Sequence, residues 1–426
     1  MLPHALLVAA LALGPWLVVS DVHYNPLGST TAAATAGSDT NPALLARSLD
    51  AMRRIDPDPP VVLVMGDLLA HHLTSALAAS TMAELARRFD RAFPRAQFVL
   101  VLGNNDSACG DYRSAPNGAF LRAVAGAWAP LVDRNGAAPA FARDFARRGA
   151  YVARLPIRGL RAVVTDDVVW SWRYRACESS LADPVSDQYA WLAKTLRSTP
   201  RGDRNWLLLH IPPGVDVFST RLIHGVVIVP FLGLGQRTLL GLIDDPADRV
   251  ALVVAGHTHR FAFRSSAAAD PARDVAMLLA PAISPIYGND PAFLTIRVRA
   301  DGTIADLRAA ALVRGRSATV FDSQASFGMQ SVNAETIRKV TQRLERDPAL
   351  QARFARAYDG AARPPEVTPQ NFRAFWCATA NLDAGSYRRC AGTSIGGGRY
   401  PRILAGIAAV LLAIGAALYA RRVSAR

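Results

Sequence analysis

Cysteine is scarce in this chain, and the few cysteines that occur are poorly spaced for metal binding. There are four in 426 residues and none forms a C-x-x-C pair, which argues against a zinc–thiolate site. The net charge is +14, but the arginines are scattered among alanines and form neither a long basic run nor a nucleic-acid-binding motif. No internal repeat is visible. We therefore expect no thiolate metal site and no dedicated nucleic-acid partner.

The eight histidines are few, but four of them fall into short polar motifs that follow apolar runs. Five runs have the length and composition of buried strands: Trp16–Val19, Val61–Met65, Phe98–Leu102, Trp206–Leu209 and Val250–Ala255. The motifs behind them are Asp21-Val22-His23, Gly66-Asp67, Gly103-Asn104-Asn105-Asp106, His210 and Gly256-His257-Thr258-His259. Ligand sites in open α/β sheets lie at the carboxyl ends of strands. The sequence therefore predicts that these side chains collect along one rim of a sheet.

The residue types in the motifs indicate a site for divalent cations. Carboxylates, imidazoles and an amide oxygen suit borderline and hard metal ions without any cysteine. A carboxylate such as Asp67 can bridge two ions, and two ions about 3.5–4 Å apart can clamp a phosphoryl group and generate a hydroxide near neutral pH. A single histidine after a strand is more often structural, but five such motifs in order favour a metal centre.

The ordered motifs resemble those of the calcineurin-type metallophosphoesterases over roughly residues 16 to 310. Three segments are similar to the acid-sphingomyelinase-like branch, namely Gly66–His71, His210–Gly214 and Gly256–His259. Gly103–Asp106 is similar to the endopolyphosphatases, which belong to the same superfamily. The resemblance implies an α/β fold, a four-layer αββα sandwich followed by a small C-terminal helical domain. We expect the protein to be a monomer.

The resemblance also implies a role for each motif residue. One metal ion would be held by Asp21, His23, Asp67 and His259, and a second by Asp67, Asn104, His210 and His257. Zn²⁺, Mn²⁺ or iron would suit this ligand set. A hydroxide between the two ions would attack phosphorus in line, and the ions would stabilise the charge on the phosphoryl oxygens. The residues assigned to catalysis are Asp67, His71, Asn105 and Asp106.

Asn105 is a departure from the superfamily pattern. In most members the residue after the ligand asparagine is a histidine that protonates the leaving group, and an asparagine cannot act as a general acid. Three explanations are open. His71, which matches the histidine of the sphingomyelinase-like G-D-L-x-A-H segment, supplies the proton; or the leaving group, such as a phosphoanhydride oxygen, needs no acid; or activity is low. We favour the first two.

The function implied is that of a phosphoric ester hydrolase similar to sphingomyelin phosphodiesterases, acting on a phosphodiester or a phosphoanhydride. The alternative is an endopolyphosphatase or a nucleotide phosphatase, which Asn105 and the positive charge favour. The substrate would be a lipid headgroup, a nucleotide or polyphosphate. A non-catalytic metal- or lipid-binding module is a further hypothesis, and the intact ligand set argues against it.

The composition divides the chain into five parts: residues 1–15 as a signal or leader segment, 16–315 as the catalytic domain, 316–400 as a helical accessory domain and linker, 401–422 as a transmembrane helix, and 423–426 as a tail. The transmembrane prediction depends on the 18-residue apolar run Ile403–Ala420, which would span roughly 27 Å as a helix. The amino-terminal segment lacks a basic start, so it is either a leader or an extension of the first strand region. We expect an extracytoplasmic catalytic domain.

The cysteines and one apolar segment leave alternatives open. Cys377 and Cys390 are close in sequence and are expected to pair, whereas Cys109 and Cys177 either pair over the site or remain buried thiols. The apolar segment Val215–Ile243 lies between two ligand motifs and should border the catalytic mouth. It either contacts a membrane or lipid tails, or packs as a lid against the C-terminal domain. We favour the lid.

Overall fold

The computed structural model describes residues 15–392, apart from 178–182, 234, 246–248, 269, 314–315 and 361–363. The predicted transmembrane helix and nearly all of the predicted leader segment lie outside these described residues. Within them, no helix is both long and apolar enough to cross a membrane.

The described chain alternates strands and helices through its first two thirds and becomes helical near its end. The strands are β1 (Pro15–Val19), β2 (Val61–Val64), β3 (Gln97–Leu100), β4 (Arg113–Ser114), β5 (Tyr151–Arg154), β6 (Leu160–Val164), β7 (Arg175–Ala176), β8 (Arg204–Leu208), β9 (Val250–Ala255), β10 (Ala262–Ser265), β11 (Ala276–Leu279), β12 (Ala292–Val298), β13 (Ile304–Val313) and β14 (Arg316–Asp322). The α-helices are α1 (Pro42–Ile55), α2 (Ser75–Ala92), α3 (Ala119–Val132), α4 (Phe141–Arg148), α5 (Pro184–Arg197), α6 (Val217–Leu222), α7 (Gln236–Asp244), α8 (Ser323–Phe327), α9 (Ala334–Leu344), α10 (Pro348–Asp359), α11 (Phe372–Cys377) and α12 (Ala384–Ala391).

Most strands belong to two mixed sheets of six strands each. The first has the order β14-β13-β12-β1-β2-β3, and the second has the order β10-β11-β9-β8-β6-β5. In the first sheet, β1, β2 and β3 are parallel and β12 to β14 are antiparallel additions. In the second, β6, β8, β9 and β11 are parallel, with antiparallel strands at both edges. All five predicted strands are present, but they belong to two sheets rather than one.

The two sheets pack face to face and helices cover their outer faces. Trp16 on β1 and Trp206 on β8 are both buried, and their ring centroids are 5.3 Å apart. On the outer face of the first sheet, Phe98 of β3 lies 5.9 Å from Phe89 of α2 and 6.3 Å from Trp128 of α3. Helices α5 and α7 pack in the same way on the second sheet. Because the parallel strands are buried on both faces, their sequences are continuously apolar.

Helix α1 shows how the local sequence sets the crossover from β1 to β2. The side chain of Asn41 accepts a hydrogen bond from the backbone amide of Leu44 at 2.9 Å, and Pro42 occupies the first turn. Both features favour a helix start. The apolar face that includes Leu45 and Met52 is buried against the first sheet, so α1 returns the chain to the amino end of β2, next to β1.

The C-terminal helices close one end of the sandwich. Residues 316–322 still belong to the first sheet as β14, and the helical part begins at Ser323. Phe263 of β10 lies 5.9 Å from Phe354 of α10, so these helices pack on the edge of the second sheet. Two disulfides are present, Cys377–Cys390 between α11 and α12 and Cys109–Cys177 between loops beside the predicted site. The first pairing was expected, and the second decides between the two alternatives for Cys109 and Cys177.

Candidate metal centre

Each candidate ligand lies in a loop that leaves the carboxyl end of a parallel strand. The loops after β1, β2 and β3 of the first sheet carry Asp21, His23, Asp67 and Asn104, and the loops after β8 and β9 of the second carry His210, His257 and His259. Because the sheets pack face to face, their two sets of carboxyl ends meet at one end of the sandwich. The site is therefore assembled between two sheets.

Five of these residues adopt a left-handed backbone conformation that is rare for residues other than glycine. Their φ angles are 48° for Asp21, 42° for His23, 52° for Asp67, 70° for His257 and 57° for His259. Such residues cost on the order of 1–3 kcal/mol each, and they persist where the surrounding structure over-determines them, often at active sites. The concentration of this strain at the strand ends indicates a functional site.

Two glycines allow the loops to approach each other closely. A Cβ atom at Gly103 would collide with the backbone nitrogen and the carboxylate of Asp67, and one at Gly256 would collide with the hydroxyl of Ser20 and the carboxylate of Asp21. Only glycine leaves room for these contacts. The two glycines of the G-N-x-D and G-H-x-H motifs are therefore required by packing against neighbouring ligand loops.

Asp21, His23 and His259 form a first group of side chains that could hold a metal ion, with ligand atoms within 4.8 Å of one another. The Nε2 atoms of His23 and His259 are 3.1 Å apart, and Asp21 Oδ1 is 3.4 Å from His259 Nε2. The second oxygen of Asp21 accepts a hydrogen bond from the backbone amide of His257 at 3.0 Å. His23 Nδ1 lies 3.2 Å from the carbonyl oxygen of Leu69, which leaves Nε2 as the ligand atom.

Asp67, His210 and His257 form a second group with the same property. His210 Nε2 is 3.3 Å from Asp67 Oδ2, and its Nδ1 is 2.7 Å from the carbonyl oxygen of Met65. That backbone contact fixes which nitrogen of the imidazole carries the proton, as second-shell partners of histidine ligands commonly do. Nε2 is therefore the His210 atom directed toward the group.

Asp67 lies between the two groups. Its Oδ2 atom is 3.6 Å from His23 Nε2 as well as 3.3 Å from His210 Nε2. Asn104 also borders the second group: its amide nitrogen donates a hydrogen bond to Asp111 Oδ1 at 2.8 Å. That bond orients the amide and leaves its oxygen as the ligand atom.

The chemistry of these residues fits divalent cations. Within the described residues, four buried atoms of the candidate ligands have no hydrogen-bond partner: Asp21 Oδ1, Asn104 Oδ1, His210 Nε2 and His259 Nδ1. Buried polar atoms are normally paired, so such a cluster calls for an additional partner. Burial lowers the pKa of His23 to about 4 and that of His257 to about 3, which keeps both imidazoles neutral with lone pairs available at pH 7.

The pKa of His210 reflects the electrostatic field of the centre. Burial opposes its charged form, but the nearby carboxylates of Asp67 and Asp21 outweigh burial and raise the pKa of His210 to about 10. The two carboxylates thus stabilise positive charge at this point strongly enough to overcome desolvation. A divalent cation would be stabilised by the same field.

Asn105 and Asp106 orient the loops and make no ligand-like approach. The backbone amide of Asn105 donates to Asp67 Oδ1 at 2.7 Å, and its side-chain amide donates to Asp67 Oδ2 at 3.0 Å. The carboxylate of Asp106 accepts from the backbone amides of Leu68 at 2.7 Å and Gly103 at 2.9 Å. Asp106 therefore joins the loops after β2 and β3, and Asn105 holds the carboxylate of Asp67.

His71 stands at the edge of the centre and is paired with Asp39. Its ring stacks on that of His23, with centroids 4.3 Å apart, and its Nδ1 is 2.9 Å from Asp39 Oδ1. Asp39 Oδ2 also accepts from the backbone amide of His71 at 3.0 Å. Burial opposes the charged imidazole, but the hydrogen bond that His71 donates to Asp39 outweighs it and raises the pKa of His71. Asp39 thus orients the His71 ring and favours its protonated form.

Several supporting residues were not identified from the sequence as parts of the site. Asp39 lies in a Gly/Ser/Thr/Ala-rich loop whose only signal is that it follows the first ligand motif. Asp111 and Tyr112 follow the third motif, and the Tyr112 hydroxyl is 3.4 Å from His257 Nε2. Asp167, which follows β6, accepts a hydrogen bond from the backbone amide of His210 at 3.0 Å.

The candidate ligands open into a cavity of about 530 Å³. Asp67, His71 and His257 line one part of it, and the C-terminal helices contribute Phe354 and Tyr358 to another. Polar and aromatic side chains therefore surround a space large enough for a small phosphorylated substrate.

Comparison with known proteins agrees with the motifs. The family model for calcineurin-like phosphoesterases matches residues 14–261. Among curated proteins, sphingomyelinase phosphodiesterase D of Dictyostelium discoideum is 27% identical over 262 residues, which cover 60% of this chain and 56% of that protein. Acid sphingomyelinase-like phosphodiesterase 3b of Mus musculus is 26% identical over 234 residues, which cover 49% of this chain and 50% of that protein. The resemblance drawn from the motifs is confirmed.

The coverage of these matches is partial. The chain spans about half the length of the curated relatives it matches. Among solved structures, purple acid phosphatase PPD1 from yellow lupin seeds aligns with 72% of this chain and 52% of that chain, at a TM-score of 0.42 and 13% identity.

Proposed function

This chain belongs to the calcineurin-like phosphoesterase family, and from that premise we propose that it is a metal-dependent hydrolase that cleaves phosphodiesters. The observation that carries the proposal is the convergence of two groups of buried ligand atoms, several of them without another partner, at one end of a large cavity. The names of the relatives, phosphodiesterases of the sphingomyelinase type, support a phosphodiester as the substrate.

We assign the ligands to two cations. Asp21, His23 and His259 would hold one ion, and Asn104, His210 and His257 would hold the other. Asp67 would contact both, since its Oδ2 atom lies near a histidine of each group. Bound cations would neutralise the phosphoryl oxygens and lower the pKa of a water molecule toward neutrality. Zn²⁺, Mn²⁺ and iron suit the mixed nitrogen and oxygen ligand set.

The supporting residues keep these ligands in position for the reaction. Asn105 donates two hydrogen bonds to Asp67, so its role here is to orient the shared carboxylate. Asp106 uses its carboxylate on backbone amides and acts as a positioning residue. Such outer contacts commonly contribute tenfold to hundredfold in metal affinity or activity.

His71 would protonate the leaving group. It lines the cavity beside His23, and its hydrogen bond to Asp39 favours the protonated ring. Among the described residues that line the cavity, it is the one histidine outside the two ligand groups. A general acid in this position would supply a proton to an alkoxide leaving group, the task that Asn105 cannot perform.

Hydrolysis of a phosphoanhydride, as by an endopolyphosphatase or a nucleotide phosphatase, is the second candidate. The observation that favours it is that the Asn105 side-chain amide donates its hydrogen bond to Asp67. His71 is then left as the proton donor, whereas most of the superfamily would have a histidine at the position of Asn105 as well. A phosphoanhydride oxygen leaves readily without protonation, so this chemistry tolerates the loss.

We also propose the predicted placement of the protein. The catalytic domain, which with β14 extends to residue 322, a helical accessory domain that follows it to residue 400 and an anchoring helix of 401–422 would hold the enzyme, as a monomer, on the outer side of the cytoplasmic membrane. The two disulfides support an oxidising compartment, where such bonds persist.

The proposal is tested by hydrolysis of a bis-aryl phosphodiester with the full chain. Chelator-treated protein should be inactive and should recover activity with Zn²⁺ or Mn²⁺. Asp67→Asn should remain at least about a hundredfold below the wild type, as expected when a shared ligand of the ions that stabilise transition-state charge is lost. Asp274→Asn, which changes a buried carboxylate paired with Arg338 at 3.2 Å, is the matched control and should recover fully. Equal recovery by Asp67→Asn would contradict the proposal.

A further inference from the structure

Exposed apolar side chains are concentrated in one short segment beside the cavity. Nine large apolar side chains are exposed among the described residues, and five of them lie between positions 218 and 227. We call these five the apolar rim: Phe218 (60% exposed), Leu222 (69%), Ile223 (39%), Val226 (45%) and Val227 (46%). Contiguous exposed apolar surface of this kind marks an interaction site more often than chance.

The apolar rim is a built structure at the cavity mouth. Phe218, its first member, also lines the cavity that contains the candidate ligands. The segment is fixed from below, because Asp216 N donates to the carbonyl oxygen of Val229 at 2.9 Å, and Val229 N donates to Thr220 Oγ1 at 2.9 Å. Ile228 is buried beneath it. The fold therefore holds the five side chains outward, while the part of the segment that follows them, predicted to pack as a lid, contacts the C-terminal helical part through Gln236.

The charged residues within the stretch that carries the apolar rim are basic, and carboxylates flank it at its two ends, at Asp216 and Asp244. Between Val217 and Ile243 the sequence contains Arg221, His224 and Arg237 and no aspartate or glutamate. Arg237 is exposed. An apolar surface bordered by cations complements a bilayer, whose acyl region accepts the apolar side chains and whose anionic headgroups attract the arginines.

The end of the described chain lies on the same side of the molecule. Burial raises the pKa of Tyr387 in α12, and the positive charge of Arg221 in α6 is close enough to oppose that rise. The two helices are therefore neighbours. Gln236, at the start of α7, donates to the carbonyl oxygen of Leu382 at 2.9 Å. After α12 the sequence continues to the 18-residue apolar run Ile403–Ala420. A membrane that held this run would lie close to the apolar rim.

We propose that the apolar rim docks on the surface of an anionic lipid bilayer, so that the mouth of the cavity faces that surface. The proposal concerns binding and does not depend on catalysis. It explains why the largest concentration of exposed apolar side chains in the described chain lies beside the cavity that contains the candidate metal centre. It also implies that a substrate can enter the cavity from the plane of the bilayer.

Photo-crosslinking in the full chain tests the proposal. A photoreactive benzoylphenylalanine would replace Leu222 or Val226, and the protein would be reconstituted with vesicles of phosphatidylcholine, with or without phosphatidylglycerol. Ile55 is the matched control: it is an exposed apolar residue at the end of α1, close to the amino ends of the strands and therefore at the opposite end of the sandwich. Floatation of the vesicles separates bound from free protein.

The expected result is lipid adducts at positions 222 and 226, background labelling at position 55, and a higher yield with phosphatidylglycerol. Three results would overturn the proposal: full chain that does not float with vesicles, bound protein without lipid adducts at the apolar rim, or adducts only to a second protein chain, which would identify the surface as a dimer interface. Equal yields with and without phosphatidylglycerol would contradict the part assigned to the arginines. Bis-aryl phosphodiester hydrolysis, measured separately, distinguishes a failure here from a failure of the proposed function.

Discussion

Two rims border the same cavity and are built on opposite principles. The metal rim consists of the candidate ligands Asp21, His23, Asp67, Asn104, His210, His257 and His259; it is polar, withdrawn from solvent and held in strained backbone conformations. The apolar rim is exposed and lies on a short helix and the turn after it. Each rim contradicts the usual preference of its residues, since polar groups are normally exposed and apolar groups buried.

The contrast identifies two places where the fold does not maximise its free energy of unfolding. A metal rim of unpaired buried groups destabilises the isolated chain unless a cation binds. An apolar rim in water gives up the free energy that burial would provide. Both departures sit at one cavity mouth, which is the arrangement expected where function opposes folding. Four predictions test this comparison.

The largest effect is expected from His71→Gln at the edge of the metal rim. Loss of a general acid lowers rates by about 10²- to 10⁴-fold, so hydrolysis of an alkyl phosphodiester should fall by at least that lower bound. A substrate with a nitrophenolate leaving group, which needs no proton, should be hydrolysed at nearly the wild-type rate. Steady-state kinetics with the two substrates measure the difference. An unchanged rate with the alkyl substrate would remove His71 from the mechanism.

Two leucines of one segment compare burial directly. Leu232 is fully buried and Leu222 is 69% exposed. Leu232→Ala should lower the free energy of unfolding by about 2–5 kcal/mol because it leaves a cavity, whereas Leu222→Ala should change it by less than about 0.5 kcal/mol. Denaturant unfolding of both variants measures the difference. A comparable loss for Leu222→Ala would mean that the apolar rim is packed in solution.

Gly103→Ala should break the metal rim without removing a ligand. The added Cβ would push against Asp67, and a displacement of about 1 Å at a reacting centre can cost roughly a hundredfold in rate. Gly126→Ala is the matched control, because an added Cβ there, on an exposed face of α3, meets nothing within 4 Å. That change should leave hydrolysis unaffected and raise stability by up to about 1 kcal/mol. Equal hydrolysis by both variants would contradict the close packing of the ligand loops.

The smallest effect is expected from Asp39→Asn. The rate should fall about tenfold, as for other residues that orient catalytic groups. The hydrogen bond that His71 donates to the Asp39 carboxylate raises the pKa of His71 against the effect of burial. Replacing this carboxylate with an amide therefore lowers the pKa of His71. Because His71 must be protonated to act as an acid, activity should be lost at a lower pH on the alkaline side of the profile. A pH–rate profile of the alkyl substrate measures the shift, and an unmoved alkaline limb would separate Asp39 from His71.

The placement of the candidate ligands at strand ends could be predicted because each of them follows an apolar run typical of a buried strand. The five runs became β1, β2, β3, β8 and β9. The resemblance implied two sheets, but the runs themselves could not show which strands share a sheet, because an apolar run specifies burial on both faces and says nothing about its partners. Strands β10 to β14 were also missed, since some of them are short, as β10 is, or largely exposed, as the edge strand β14 is.

Other features depend on tertiary contacts that leave no local pattern. Asp39 lies in a loop of small polar residues, and only the fold brings it to His71. The segment from Val215 to Ile243 is apolar throughout, which indicates burial, and the structure does bury Val217, Leu232 and Leu239. The same composition could not show that side chains of the intervening turn stay exposed among the described residues.

Metal content is the measurement that tests the central claim most directly. The full chain, loaded with Mn²⁺ or Zn²⁺ and freed of excess metal, should contain two ions per chain by elemental analysis. His210→Ala should lose one ion and Asp67→Asn should lose at least one, while Asp274→Asn should keep both. One ion or none in the wild type, or a content unchanged in Asp67→Asn and His210→Ala, would contradict a centre in which Asp67 joins two cations between the sheets.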